Sequence, residues 1–122
     1  MSASNVDEVA LEFVRYINNQ NWKSLIEMMT EDFTFIGPEE GDVVEGRDKM
    51  GQGFREYFEE YPEYRIHVSK VTLSGDAVAF VGQTTGSHVP PEIEARETVI
   101  FVATVRDGSV SEWRIFSDMN RL

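Results

Sequence analysis

Apolar residues along the first third of the chain recur at helical spacing. Val6, Val9, Ala10, Phe13, Val14 and Ile17 fall three or four positions apart, which places them on one face of a helix. Ser4 or Asn5 followed by Asp7 and Glu8 predicts a capping-box start. "NNQN" at 18–21 breaks the pattern, and a second short helix follows with Trp22, Leu25, Ile26 and Met29 on one side. "TEDFTFIGP" then alternates through Phe33 and Phe35 as a strand and stops at Gly37-Pro38. "EEGDVVEG" reads as a loop with a short strand at Val43–Val44. A third helix is predicted from Arg47, its apolar face carrying Met50, Phe54, Tyr57, Phe58 and Tyr61, with Pro62 just beyond its end. Gly51 and Gly53 weaken that helix by about 1 kcal/mol each relative to alanine, and close packing against a neighbour is the expected use for them.

From Tyr64 onward the period changes to two. "YRIHVSKVTL" alternates through Ile66 and Val68, then shifts parity to Val71 and Leu73 without a turn signal. Such a shift predicts a β-bulge, which bends a sheet. "SGD" at 74–76 is a hairpin turn into "AVAFVGQTT", and "RDG" at 106–108 joins "RETVIFVATV" to "SVSEWRIFSD". In the last strand Val110, Trp113 and Ile115 mark a buried face. "VIFVATV" is nearly continuous in apolar residues, so both of its faces need cover. The helices supply one cover, and a second copy of the chain meeting the outer face of the sheet supplies the other, giving a homodimer. Helices first and a bent antiparallel sheet afterwards define an α+β fold, a cone able to hold a ligand.

Composition narrows the function. One domain spanning 1–122 fits the length. With 22 acidic against 11 basic residues, the formal charge is −11, which opposes nucleic acid and anionic membrane as partners. The chain has no cysteine, so thiolate metal sites and a cysteine nucleophile are excluded. His67 and His88 stand 21 residues apart with no carboxylate cluster at ligand spacing, and no glycine-rich phosphate loop is present. No metal and no cofactor are therefore expected. The start "MSASNVDEVALEF" lacks a basic leader and a long apolar run, so a cytoplasmic protein is expected.

Several phrases in order resemble the nuclear transport factor 2-like superfamily, in its SnoaL-like polyketide cyclase branch. "VRYINNQNWKSLIEMMTEDFTF" resembles the branch's first two helices and following strand, and "GRDKM" the start of its third helix. "EEYPEYRIHVSKVTLSGDAVAF", "TTGSH" and "RDGSVSEWRIFSD" resemble its later strands, its Gly-Thr-His phrase and its closing hairpin. The resemblance implies a cone-shaped fold with N-terminal helices packed on a curved antiparallel sheet. This fold hosts many chemistries, so activity has to be carried over by residue. Where the superfamily's steroid isomerases carry a tyrosine and two aspartates, this chain has Phe13, Gly37 and Phe101, which disfavours that chemistry. The epoxide hydrolase arrangement is incomplete too: Trp113 to Asp118 has its spacing, but Arg96 is followed by Glu97 and Thr98.

In SnoaL-like cyclases an acidic residue at the position of Asp118, helped by a histidine, is the implied acid/base. Asp118, His88 and Glu97 are accordingly the catalytic candidates, each with a plainer alternative. Alternation from Trp113 and Ile115 puts Asp118 on the outer face, so a pocket role requires a bulge near Phe116–Ser117. His88 suits a proton relay at a pocket rim but also suits a polar turn before Pro90-Pro91. Glu97 either points inward or belongs to an exposed pair with Arg96 at the strand start. Tyr16, Phe35, Phe54, Tyr57 and Trp113 are the expected pocket wall, or simply core. The resulting expectation is cofactor-independent proton transfer of cyclase, isomerase or hydrolase type on a small apolar or carbonyl-bearing molecule. The alternative is a non-catalytic small-molecule-binding or assembly module.

Overall fold

The structure, a computed structural model, describes residues 5–118. In chain order its elements are α1 (Val6–Asn18), α2 (Trp22–Met28), β1 (Met29–Ile36), β2 (Val43–Glu45), α3 (Arg47–Glu60), β3 (Arg65–Ser74), β4 (Ala77–Thr85), α4 (Pro91–Glu94), β5 (Val99–Arg106) and β6 (Ser109–Ser117). The six strands form one sheet in the order β2-β1-β6-β5-β4-β3. All neighbouring pairs are antiparallel except β1 and β6, which run parallel. The sheet curves without closing, and the helices pack into its concave side: α1 lies across β3 to β6, and α3 lies over β1 and β2. This is the α+β arrangement expected from helices first and strands afterwards.

The amphipathic face of α1 seats the fold. Ala10, Phe13, Val14 and Ile17 are all buried, as their spacing requires. Phe13 lies 5.1 Å from Trp113 of β6, which stacks on Phe101 of β5 at 5.2 Å. Phe33 and Phe54 close around Phe13 at 6.2 Å each. At the start of α1 Asn5 makes no side-chain cap and the Glu8 amide is held by Asp7 Oδ1; Ser4, the other expected cap, lies outside the described residues. Cap chemistry appears instead at α2, where Asn21 Oδ1 accepts from the Ser24 amide. The polar tract 18–21 also docks α1 on β3. Asn18 accepts from the Ile66 amide at 2.7 Å and donates to the Ile66 carbonyl at 3.0 Å.

The parity shift in β3 is a bulge. Val68 pairs with Gly82 and Lys70 with Val81, leaving Ser69 as the extra residue. The pairing keeps Ile66, Val68, Val71 and Leu73 on the same concave face as Val78 and Phe80. Opposite the bulge the backbones approach so closely that a β-carbon at Gly82 would collide with the His67 carbonyl. Gly51 answers the packing question in α3, since a β-carbon there would overlap Ile26 of α2.

Trp113→Ala removes the largest fully buried side chain and is expected to lower unfolding free energy by about 3–5 kcal/mol in urea denaturation. Leu73→Ala, at an edge strand and 51% exposed, is expected to cost about 1 kcal/mol or less. Equal losses for the two would contradict this assignment of the core.

Candidate functional site

A polar cluster forms where the third helix, the start of β3 and the segment after β4 meet. Tyr57, on the last turn of α3, is half-buried, and its hydroxyl lies 2.9 Å from His88 Nδ1. The same hydroxyl accepts from the His88 backbone amide at 3.2 Å. Rings of Tyr61 and Tyr64 surround Tyr57 at 4.7 and 5.2 Å, and His88 meets it edge-on. The loop reaches this position because Gly86, with φ of +72°, turns the chain against the Glu63 backbone. Pro90-Pro91 then starts the short helix α4, in a stretch whose sequence reads only as a turn.

Burial pushes the Tyr57 phenol up to about 12, with the His88 amide working against that shift. Tyr64 is also pushed upward, first by burial and then by the charges of Tyr57, Glu94 and Glu97. The direction of the Tyr57–Nδ1 bond follows the imidazole tautomer: with Tyr57 donating to Nδ1, the ring proton is on Nε2, which has no hydrogen-bond partner among the described residues.

The candidates from sequence are placed as follows. Pairing of Ile100 with Phe116 and of Val99 with Ser117 runs without a register shift, so the bulge that would turn Asp118 inward is absent. Asp118 is exposed, and its Oδ1 accepts from the Thr98 amide at 2.9 Å while its own amide donates to the Thr98 carbonyl. Its carboxylate thus closes the end of the β5–β6 ladder. Glu97 is half-buried, accepts from the Ser117 hydroxyl and bears electrostatically on Tyr64. His88 is exposed yet anchored by Tyr57. Among the expected wall residues, Tyr57 is at the cluster. Trp113 and Phe54 belong to the buried aromatic core, and Phe35 sits half-buried on β1 opposite Trp113. Tyr16 lies apart, its phenol raised first by a hydrogen bond with Glu12.

Two members of the cluster escaped the sequence reading. Tyr64 shares the parity of inward Ile66 and was legible by alternation. Glu94 is only 5% exposed, and its Oε2 accepts from the Thr84 hydroxyl at 2.7 Å and the Ser87 amide at 3.2 Å. Its signal was Thr84, an inward-facing polar residue in line with Val78 and Phe80 that needs a buried partner. Among the described residues no group of three or more His, Asp or Glu is placed to hold a metal. No helix among them is long and apolar enough to cross a membrane.

The description SnoaL-like domain matches residues 10–113, most of the chain and nearly all of the elements above. The chain belongs to the SnoaL-like family. No curated protein matches it in sequence. Among solved structures it is similar to a candidate SnoaL-like polyketide cyclase from Jannaschia sp. CCS1, with 25% identity, a TM-score of 0.77, and coverage of 95% of this chain and 87% of that one. It is also similar in fold to SalBIII, described as an epoxide hydrolase/cyclase-like enzyme with a role in pyran ring formation in the polyether salinomycin. There the identity is 24%, the TM-score 0.76 and the coverage 95% and 92%. An NTF2-like protein of unknown function from Cytophaga hutchinsonii ATCC 33406 shares the fold at 17% identity and a TM-score of 0.75, over 93% and 89% of the two chains. The polar cluster of this SnoaL-like protein therefore occupies a fold shared with those proteins.

Two measurements check the Tyr57–His88 arrangement. In ¹⁵N NMR of the neutral ring, His88 is expected to be predominantly Nε2-protonated, and Tyr57→Phe is expected to redistribute the proton between the two nitrogens; an unchanged pattern would contradict the bond. Separately, the folded Tyr57 holds its proton above the ordinary value of 10.0, up to about 12. Unfolding therefore releases a proton in that window, and stability falls as pH rises through it. Tyr57→Phe is expected to flatten this fall in part, because the half-buried Tyr64, and Tyr16 and Tyr61 with it, are raised as well.

Proposed function

We propose that the protein is a small cofactor-independent enzyme that moves a proton on an apolar or carbonyl-bearing molecule held against the Tyr57–His88 cluster. The reading rests on the 2.9 Å contact between Tyr57 Oη and His88 Nδ1, which fixes the imidazole and leaves its other nitrogen accessible. In that state Nε2–H donates to a developing oxyanion. Protonation at Nδ1 reverses the bond to Tyr57, with Tyr57 accepting, so the pair passes through both charge states without losing its geometry. Glu97, half-buried and bearing electrostatically on Tyr64, is the proposed acceptor of a proton from carbon. Asp118 acts with them by holding the strand end that carries Ser117, the hydrogen-bond donor to Glu97. Aromatic faces of Tyr61 and Tyr64 supply apolar contact for the substrate.

A binding module without chemistry is favoured by one observation. Phe13, Phe33, Phe54, Phe101 and Trp113 fill the interior of the cone and are each at most 7% exposed, which confines any ligand to the rim. Assay against a panel of enolisable ketones and epoxides separates the readings. His88→Gln is expected to lower turnover by about 10²-fold and Glu97→Gln by a similar factor, whereas Asp118→Asn leaves most of it. Saturable binding with no turnover of any compound by the wild type would establish the binding module instead.

The protein is further proposed to be a homodimer through the convex face of the sheet. Ala79, Val81, Ile100 and Val102 form a half-buried apolar patch there, flanked by Phe116, which is 46% exposed under the Arg114 guanidinium. Light scattering at micromolar concentration is expected to give twice the chain mass, and Val102→Glu is expected to give a monomer. A monomeric wild type would end the proposal.

A further inference from the structure

Glu94 is buried without a cation. Its Oε2 is held by Thr84 and the Ser87 amide, and none of the ion pairs among the described residues involves it. Neighbouring cations are committed elsewhere: Arg96 donates to the Glu92 carbonyl, and Arg65 donates to the Pro62 and Tyr64 carbonyls. Oε1 accepts no hydrogen bond from the described residues. Since no fully buried side-chain oxygen among them lacks a partner, Oε1 reaches accessible space. Glu94 also lines a hollow of about 240 Å³, together with Thr84, Ser87, Val89, Pro91 and Ala95, with Thr85 and Gly86 beside them.

Each feature of the hollow narrows the ligand. A carboxylate oxygen only accepts, so the ligand must present a donor. A buried carboxylate is expensive unless something positive sits beside it, so a charged donor gains more than a neutral one. Glu92 and Glu97 are close to Glu94 in the chain, Glu63 packs against Gly86 of the lining, and all three add the same sign; the net charge of −11 draws cations rather than anions toward the protein. Val89, Pro91 and Ala95 offer apolar contact to a short hydrocarbon body. The hollow is smaller than the roughly 300–1,000 Å³ typical of drug-sized ligands. We propose that it binds a small primary alkylammonium ion, with Glu94 Oε1 as counter-ion. The proposal stands independently of proton transfer at His88, because it concerns a carboxylate that the reading above does not use.

The test is titration of the full-length protein with n-propylammonium chloride, followed by amide NMR, against n-propanol as neutral isostere and potassium chloride at equal ionic strength. Saturable shifts centred on Thr84, Ser87 and Glu94 are expected for the ammonium, with propanol at least about tenfold weaker and potassium chloride without effect. Glu94→Gln keeps an acceptor for Thr84 and is expected to weaken ammonium binding by at least about tenfold. Ala95→Leu narrows the hollow at the exposed residue that ends α4, with the carboxylate intact, and is expected to weaken it likewise. No saturation by the wild type, or equal binding of ammonium and propanol, would overturn the proposal whatever the variants do. Full binding by a folded Glu94→Gln would overturn it as well.

Discussion

The contact of Phe13 with Trp113 is the one on which the architecture depends. It joins the first helix to the last strand, and through Phe101 and Phe80 it extends across the middle of the sheet. A large apolar plug is needed because an unclosed, curved sheet cannot bury its concave face by itself. Once the plug is seated, α1 carries Asn18 onto β3, and α3 brings Tyr57 over the free end of the cone. Polar chemistry is thereby displaced from the interior to the rim.

Much of this was legible in the chain. The 3–4 spacing from Val6 to Ile17 is a local consequence of helix geometry, and the two-residue period from Tyr64 is a local consequence of the pleat. Even the bulge at Ser69 could be read, because a parity shift without a turn has few other physical explanations. Sheet order could not be read. That β1 lies beside β6, and parallel to it, is decided by how the helices pack, a matter of distant contacts rather than local pattern. The four-residue helix at Pro91 was hidden because prolines mark both turns and helix starts.

The site was less legible than the fold, for a related reason. Asp118 stands at a motif position, yet alternation points it outward and the register of β5 with β6 agrees. Its hydrogen bond to Thr98 is structural work that any strand-end carboxylate can do. His88 looked like a loop residue in isolation, and only the meeting of α3 with the segment after β4 gives it Tyr57 as a partner. Glu94 was invisible as one acid among 22, because nothing local distinguishes a buried carboxylate from a solvated one. Its partner Thr84 was the better clue: an inward polar side chain on an apolar strand face is a question about what satisfies it.

Gly82 has a consequence for the rim as a whole. It faces the bulge in β3, where the His67 carbonyl occupies the room that a side chain would take. The sharp bend of the sheet is therefore set by an absent methyl group. Tyr64 and Ile66 lie on one side of that bend, and Thr84 and Gly86 follow Gly82 on the neighbouring strand. Both strands leave this close approach toward the residues that flank the polar cluster, Tyr64 on one and Gly86 on the other. Any side chain at Gly82 would have to part β3 from β4 at the bulge, on the same two strands that lead to the rim.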